Sequence, residues 1–434
     1  MKFDPARLLS WTTVPASSFV GGNQVELLQG GDELFPQMEA AIDAAQREIW
    51  LATYIFHDDP AATRVAEALK RAAARGVAVQ VVVDGFGSIA SMPAVRRLFA
   101  GSEVKLEVFR PLDRWYAWLQ PGQLRRMHQK LCACDEVVAF VGGINLIDDR
   151  HDMNHGWGDA PRLDFAVAVR GPLAASVHAT ARAMWVRSHL WHGWRDEVRS
   201  LARSPRPVKQ AMELVRDLRG APPAEAAAGR GAGDRAASVA LPEPVRAAFL
   251  VRDNVRQRRT IERSYIEAIG RAHTRIDLAV SYFYPGRRFR RALRAAARRG
   301  VRVRLLLQGK VDYRIAALAA RALYDDLRSH GVCIYEYTPA YLHAKVALID
   351  DEWATVGSSN IDPLSLLLNL EANVVVQDPD FAQALAQRFD AVFAQSAEVT
   401  GAPQRTGWRR WLHRGLVAWL ANIYLRVAGV TGRY

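Results

Sequence analysis

One phrase occurs twice in this chain, and it constrains the fold more than anything else in the sequence. His128-Gln129-Lys130 is followed by four residues and Asp135; His343-Ala344-Lys345 is followed by four residues and Asp350. Each copy runs through an apolar stretch into a turn of small residues, Gly142-Gly143-Ile144-Asn145 in the first and Gly357-Ser358-Ser359-Asn360 in the second. The offset is constant, since 343 − 128 = 215 and 360 − 145 = 215. A duplicated His/Lys/Asn set implies two half-sites that meet around one ligand, and the simplest common ligand for that set is a phosphate group.

The lysines sharpen the point. The chain has seven lysines against 51 arginines, and two of the seven stand in these motifs. The 434 residues suit two domains, or one duplicated domain of two halves, and half of them are apolar, enough for a core in each half. The formal net charge of +13 favours anionic partners, either nucleic acid or an anionic membrane surface. The three cysteines, Cys132, Cys134 and Cys333, are an odd number without a framework, which argues against structural disulfides and fits a reducing compartment. Residues 1–22 show neither a signal-peptide pattern nor an apolar run long enough to span a bilayer.

The hydrophobic pattern predicts the same grammar twice. In the first half a helix near Glu33–Ala45 precedes a strand over Glu48–Phe56. A helix then opens at Asp58-Asp59-Pro60 and stops at Gly76, before an apolar strand over Val77–Val83. In the second half a helix near Arg259–Ala272 precedes the strand Arg275–Tyr282. There follow a helix from Pro285 to Gly300, a strand Val301–Leu307, a helix Ala316–His330 and a strand Val332–Tyr337. Strand–helix–strand order implies parallel crossovers. The expected fold is α/β: two pseudo-symmetric halves, 1–199 and 246–400, each a mixed, mostly parallel sheet flanked by helices. The segment 200–245, rich in Ala, Gly, Pro and Arg, reads as a flexible linker.

His128 and Lys130 are two apart along a strand and share one face, as do His343 and Lys345. Two ammonium groups from two converging halves neutralise a phosphodiester and its pentacoordinate transition state. Asn145 and Asn360 add neutral donors to the phosphate. One neutral imidazole can attack phosphorus while the other, protonated, donates to the departing oxygen. This chemistry requires no metal and no cofactor. An attacking imidazole needs its second nitrogen held by an acceptor, and Asp164 in Leu163-Asp164-Phe165 and Glu371 in Leu370-Glu371-Ala372 are the candidates. Asp135 and Asp350 complete the catalytic motifs. Four residues past each lysine and next to a turn, they are expected to brace the motif strand rather than touch substrate.

Both phrases resemble the HKD motifs of the phospholipase D superfamily, most closely those of bacterial cardiolipin synthases without N-terminal membrane spans. The resemblance runs from Val25 to Ser396 apart from the linker. It includes Val83-Asp84-Gly85-Phe86-Gly87-Ser88, Asp164-Phe165-Ala166-Val167 with Gly171-Pro172, and Ser358-Ser359-Asn360-Ile361-Asp362. It implies an active site between the halves and a metal-independent phosphatidyl transfer through a phosphohistidine. His128 would be the nucleophile, oriented by Asp164, and His343 the acid and base, oriented by Glu371. With phosphatidylglycerol as donor and acceptor, the products are cardiolipin and glycerol. The same chemistry also serves a phospholipase D-type hydrolase acting on phospholipid or nucleic acid. The expected partner is an anionic phospholipid membrane rather than nucleic acid.

The C-terminus offers a route to that membrane. Trp408, Trp411, Leu412, Leu416, Trp419 and Ile423 recur at helical spacing beside Arg409, Arg410 and Arg414, so 401–434 reads as an amphipathic interfacial segment. A peripheral place on the cytoplasmic face of an inner membrane is the resulting expectation.

Overall fold

The computed structural model describes residues 17–112, 125–153, 155–203, 245–253, 257–363, 365 and 369–400. Its frame is one sheet of 15 strands. Strands β1 (Phe19–Gln29) and β10 (Val245–Arg252) pair antiparallel at its centre and join the halves. From β1 the first half runs outward through β9 (Phe165–Arg170), β6 (Val138–Gly142), β5 (Leu131–Cys134), β2 (Glu48–Thr53), β3 (Ala78–Asp84) and β4 (Lys105–Phe109). From β10 the second half runs through β16 (Glu371–Gln377), β15 (Trp353–Gly357), β14 (Lys345–Ile349), β11 (Arg275–Val280), β12 (Arg302–Gln308) and β13 (Val332–Tyr337), with the short β17 (Ala397–Glu398) beyond. The two series match strand for strand. Outside the sheet, β7 (His151–Asp152) and β8 (Gly156–Trp157) form a small hairpin.

Parallel pairing is confined to β2–β3–β4 and β11–β12–β13. The remaining neighbours in the large sheet run antiparallel. The sheet is mixed, as expected, but antiparallel rather than parallel pairs predominate in it. Helical crossovers impose parallel pairing at the outer strands, but the motif strand turns straight back on itself. Asp135 and Glu136 both take positive φ, 55° and 62°, and Val137 N–H donates to Cys134 O at 3.0 Å. That is a hairpin turn of the type that suits the twist of antiparallel strands.

Helices cover both faces. On one face of the first half lie α1 (Gly30–Ala44), α2 (Pro60–Ala74) and α3 (Met92–Leu98). Asp59 caps α2 by accepting from Ala62 N–H at 3.0 Å, and Pro60 fills its first position. Leu34, Phe35, Met38, Val65 and Leu69 pack with Leu51, Val79 and Val81 beneath them. The opposite face carries α4 (Pro172–Arg203) and, from the second half, α9 (Pro379–Ala394). Val177 and Met184 join Leu385 and Phe389 in one core that both halves share. The second half has its own outer core under α5 (Thr260–Arg271) and α6 (Arg287–Arg298), built on Ile261, Tyr265, Phe289 and Leu293. The single helix expected over 316–330 is two, α7 (Arg314–Arg321) and α8 (Tyr324–Arg328), separated where Leu323 N–H bonds only three residues back to Ala320 O. Cys132 and Cys134 are buried and unbridged. Of the expected linker 200–245, residues 200–203 close α4 and Val245 opens β10; the rest of it, 204–244, and the amphipathic segment 401–434 lie outside the described residues.

Candidate active site

The two motif histidines enter buried strands, and each entrance is bonded to the opposite half. His128 N–H donates to Leu370 O at 3.0 Å, and Leu370 N–H to Arg126 O at 2.8 Å. The second copy repeats this: His343 N–H donates to Leu163 O at 2.8 Å, and Leu163 N–H to Tyr341 O at 2.9 Å. The residues that follow Leu370 and Leu163 are the two carboxylates, so each is delivered to the other half's histidine. Glu371 Oε2 is 3.0 Å from His128 Nδ1, and Asp164 Oδ2 is 2.6 Å from His343 Nδ1. The expected pairing, Asp164 with His128 and Glu371 with His343, is thereby corrected. Asp164 immediately precedes β9 and Glu371 opens β16, and these two strands flank the central pair β1–β10.

Both contacts use Nδ1 and leave Nε2 for a ligand. His128 Nδ1 is also 3.1 Å from Ser358 O. Its two neighbours there are acceptors, so Nδ1 carries the proton and Nε2 keeps its lone pair.

The lysines converge with the histidines. Lys130 Nζ donates to His128 O at 2.6 Å and lies 5.2 Å from the centre of the Tyr54 ring. Lys345 Nζ donates to His343 O and, at 3.3 Å, to Ser281 Oγ. Both lysines are buried, and burial pushes Lys130 down to about 7 and Lys345 down to about 8. Burial also lowers both histidines, His343 furthest because Lys345, Arg162 and Lys130 crowd it with positive charge. Two buried lysines whose positive charge burial makes costly suit an anion between the halves.

The carboxylates differ. Burial pushes Asp164 up to about 7, against the pull of Lys345. Burial also works against ionised Glu371, yet His128, Lys130 and the Ser358 hydroxyl hold its carboxyl below the usual range. Ser358 Oγ donates to Glu371 Oε2 at 2.6 Å. The corresponding residue of the first motif is Gly143, where a Cβ would run into the Asp164 carboxylate. The departure of the second turn from Gly-Gly to Gly-Ser thus has a reason: the glutamate has a hydroxyl beside it where the aspartate has room only for a hydrogen.

Asn145 Oδ1 accepts from Ile55 N–H at 3.2 Å, and Asn360 Oδ1 from Tyr282 N–H at 3.4 Å. Each amide's carbonyl oxygen is engaged at the end of a parallel strand, which leaves its NH2 as the donor end. Asp135 and Asp350 do not join the reacting group. Asp135 accepts from the N–H groups of Gln46, Arg47 and Glu48, and Asp350 from those of His273, Thr274 and Arg275. They tie the motif hairpins to the starts of β2 and β11.

Several positioning residues escaped the sequence reading. Asp84, fully buried, accepts from Met127 N–H at 2.8 Å just before His128 and from Phe86 and Gly87 N–H in the following loop. Gln308 occupies the matching strand end and donates to Leu342 O at 3.1 Å just before His343. Asp84 stood in a quoted phrase but without a role, and nothing in sequence relates it to a glutamine. Ser281, Ser358 and Arg162 gain their significance only from the folded arrangement.

Residues 38–157 and 265–393 match a family model described as cardiolipin synthase, PLD-like domain, with one histidine motif in each matched stretch. The chain belongs to the phospholipase D-like cardiolipin synthase family. Cardiolipin synthase B of Salmonella typhi is 36% identical over 400 residues, covering 89% of this chain and 85% of that protein. Cardiolipin synthase B of Escherichia coli strain K12 is 34% identical over the same shares, and cardiolipin synthase A of Pseudomonas entomophila is 28% identical over 89% of this chain and 72% of that protein. Among solved structures, phosphatidylserine synthase of Haemophilus influenzae superimposes with a TM-score of 0.61 over 98% of both chains at 12% identity. That likeness extends the fold of this family to a protein of very different sequence.

Proposed function

We propose that this protein is a cardiolipin synthase that transfers a phosphatidyl group from one phosphatidylglycerol to another, releasing glycerol. The observation that carries the reading is the crossed pair of histidines, each anchored through Nδ1 by a carboxylate of the other half, with two buried lysines between them. Likeness to cardiolipin synthases over most of the chain supplies the substrate class.

In the first step His128 Nε2 attacks phosphorus and the bond to the glycerol oxygen breaks. His343 gives that oxygen its proton, and phosphatidyl-His128 and glycerol result. In the second step the hydroxyl of another phosphatidylglycerol gives its proton to His343 and attacks phosphorus. The P–N bond breaks, and cardiolipin and free His128 result. Lys130, Lys345 and the amides of Asn145 and Asn360 stabilise the equatorial oxygens throughout. The unequal carboxylates support this division of labour. Ionised Glu371 favours a proton on His128 Nδ1 and a nucleophilic Nε2. Asp164, raised to about 7, keeps a proton on the Asp164–His343 pair near neutrality, where a leaving oxygen can claim it.

The halves 1–199 and 246–400 act as two parts of one site, and the segment 401–434 provides peripheral attachment to the cytoplasmic face of an inner membrane. Among the described residues no helix is long and apolar enough to cross a membrane. The test is product analysis with labelled phosphatidylglycerol in mixed liposomes, beside His128→Ala. Cardiolipin and glycerol, absent with the variant, are expected. Phosphatidic acid alone would mean that water is the acceptor and the protein a hydrolase, and no lipid turnover would overturn both lipid readings.

A further inference from the structure

A second group of ligand-bearing side chains sits at the start of α2 and shares no residue with the catalytic group. His57 and Asp59 come from the segment after β2, and His151 from β7. His57 Nδ1 is 3.5 Å from Asp59 Oδ2, and His151 Nδ1 is 3.7 Å from the same oxygen. The ligand atoms of the three residues all lie within 4.8 Å of one another. These contacts are not hydrogen bonds: both nitrogens are buried and lack a hydrogen-bond partner. Leaving a buried polar atom unsatisfied costs about 1–3 kcal/mol, and here two such atoms are directed at one carboxylate oxygen. The separations suit ligands around a common centre. Donors about 2.0–2.2 Å from a tetrahedral zinc ion stand roughly 3.3–3.6 Å from each other.

The surroundings hold the three residues in place. Asp59 Oδ1 caps α2, and Oδ2 accepts from Asp148 N–H at 2.8 Å. His57 N–H donates to Leu146 O at 2.8 Å. His151 O accepts from Arg162 Nη2 at 2.9 Å, and the His151 ring stacks on Trp157 at 5.0 Å. The His57 and His151 rings meet at 4.6 Å and 73°. Asp58 Oδ1 is 3.3 Å from His57 Nδ1 but is exposed, and it does not belong to the group whose ligand atoms lie within 4.8 Å of one another.

We propose that His57, Asp59 and His151 bind one divalent transition-metal ion of the zinc type, with water completing four-coordination. Two imidazoles and a carboxylate suit zinc better than calcium or magnesium, which prefer all-oxygen sites. The role is structural. The ion fastens the β7–β8 hairpin to the start of α2, and that hairpin reaches the catalytic strand, since the His155 ring stacks on Tyr341 at 5.4 Å, two residues before His343. The reaction itself takes no step through this ion. The sequence reading missed the site because its ligands lie 94 residues apart (151 − 57) in no recognisable spacing.

The test uses the full-length chain, purified without a metal-binding tag, stripped with a chelator, and titrated with Zn²⁺ by calorimetry and with Co²⁺ by visible absorption. One equivalent of Zn²⁺ per chain and the intense bands of tetrahedral Co²⁺ are expected, together with a rise in melting temperature on adding Zn²⁺. All three should vanish in the His57→Ala/His151→Ala double variant. They should persist in Glu136→Ala, which disrupts the other three-ligand cluster, Glu48, Glu136 and His178. Should the double variant misfold, His151→Gln alone must weaken Zn²⁺ by more than the about 10–100-fold that second-shell changes cost. Failure of the stripped wild type to bind Zn²⁺, or equal binding by a folded double variant, would overturn the proposal. Lipid turnover is no part of the readout, so the fate of the transferase reading is separate.

Discussion

Anion binding at the catalytic centre should depend steeply on pH, and the dependence should come from the two lysines. In the free protein burial brings Lys130 down to about 7 and Lys345 down to about 8. A tetrahedral dianion needs both as ammonium groups. At about pH 7 Lys130 is half protonated and Lys345 about nine-tenths, a joint fraction near 0.45; at about pH 9 the values are near 0.01 and 0.09, a joint fraction near 0.001. Affinity should therefore fall by about 500-fold between these two pH values, equivalent to about 3.7 kcal/mol. Lysines at their ordinary value near 10.4 would lose less than about a tenth of that joint fraction over the same range. Both histidines titrate below their usual value and add nothing above neutrality; Asp164, raised to about 7, ionises as the pH rises and can only deepen the fall, so the lysine figure is a lower bound. The assay is calorimetric titration with tungstate, whose charge is constant over the range. In Lys130→Met the fall should shrink to about tenfold, because one titrating lysine remains. An affinity that stays flat from about pH 7 to 9 would refute the claim that these ammonium groups are desolvated.

Glu371→Gln should lower kcat by on the order of 10²–10⁴ and alter the imidazole ¹⁵N signals of His128 while leaving those of His343; Asp164→Asn should do the reverse, and the opposite assignment would sink the crossed pairing. Ser358→Gly removes a hydroxyl donor from a buried carboxylate and should cost about 1.5–3 kcal/mol in transition-state stabilisation or stability, with the pH profile of kcat/KM shifted upward on its acid side as Glu371 becomes easier to protonate. Asp350→Ala should lower the unfolding free energy by about 1–3 kcal/mol while kcat of the folded fraction stays within about twofold, since Asp350 braces a hairpin; a collapse of kcat in a stable variant would contradict this. Stability should also depend on pH through Lys130. The unfolded chain keeps that proton to about 10.4 while the folded chain releases it at about 7, so the unfolded state binds more protons in between and stability rises with pH, by at most about 2.7 kcal/mol from pH 7 to 9. Comparing urea unfolding of the wild type with Lys130→Met over that range isolates the effect.

The motif histidines, lysines and asparagines were legible because their spacing is local. His128 and Lys130 share a strand face by period-two geometry, and the 215-residue offset repeats it. The helix start at Asp59-Pro60 was legible for the same reason, as a cap and a fixed φ written in adjacent residues. The carboxylate partners were legible as residues but not as pairs. Their assignment depends on which strands flank the central β1–β10 pair and on the bridges Met127–Leu370 and Leu163–Leu342, none of which leaves a mark in local sequence. Sheet direction failed similarly. Period-two patterns give strands, but the reversal at Asp135-Glu136 rests on two positive φ values at residues other than glycine. Asp84 and Gln308 hold corresponding places with opposite hydrogen-bonding roles, acceptor at Met127 N–H and donor at Leu342 O. Identity between the repeats could not have exposed them.

Those differences bear on how a duplicated site runs an unsymmetrical reaction. Two equal histidines would titrate alike, and neither would be committed to attack or to proton donation. The second motif adds one oxygen atom, the Ser358 hydroxyl, and the longer Glu371 receives it at 2.6 Å. The first motif has no room for such a group, because a Cβ at Gly143 meets Asp164. The consequence crosses the seam. The extra donor in the second half stabilises the anion that holds His128 of the first, while the barer Asp164 retains its proton up to about 7 beside His343. A carboxylate that ionises early favours a histidine with a free lone pair, and one that ionises late favours a pair that still has a proton to give. In the proposed mechanism, crossed pairing would convert a difference between the two motif turns into different chemical roles for the two histidines, without breaking the backbone symmetry that brings them together.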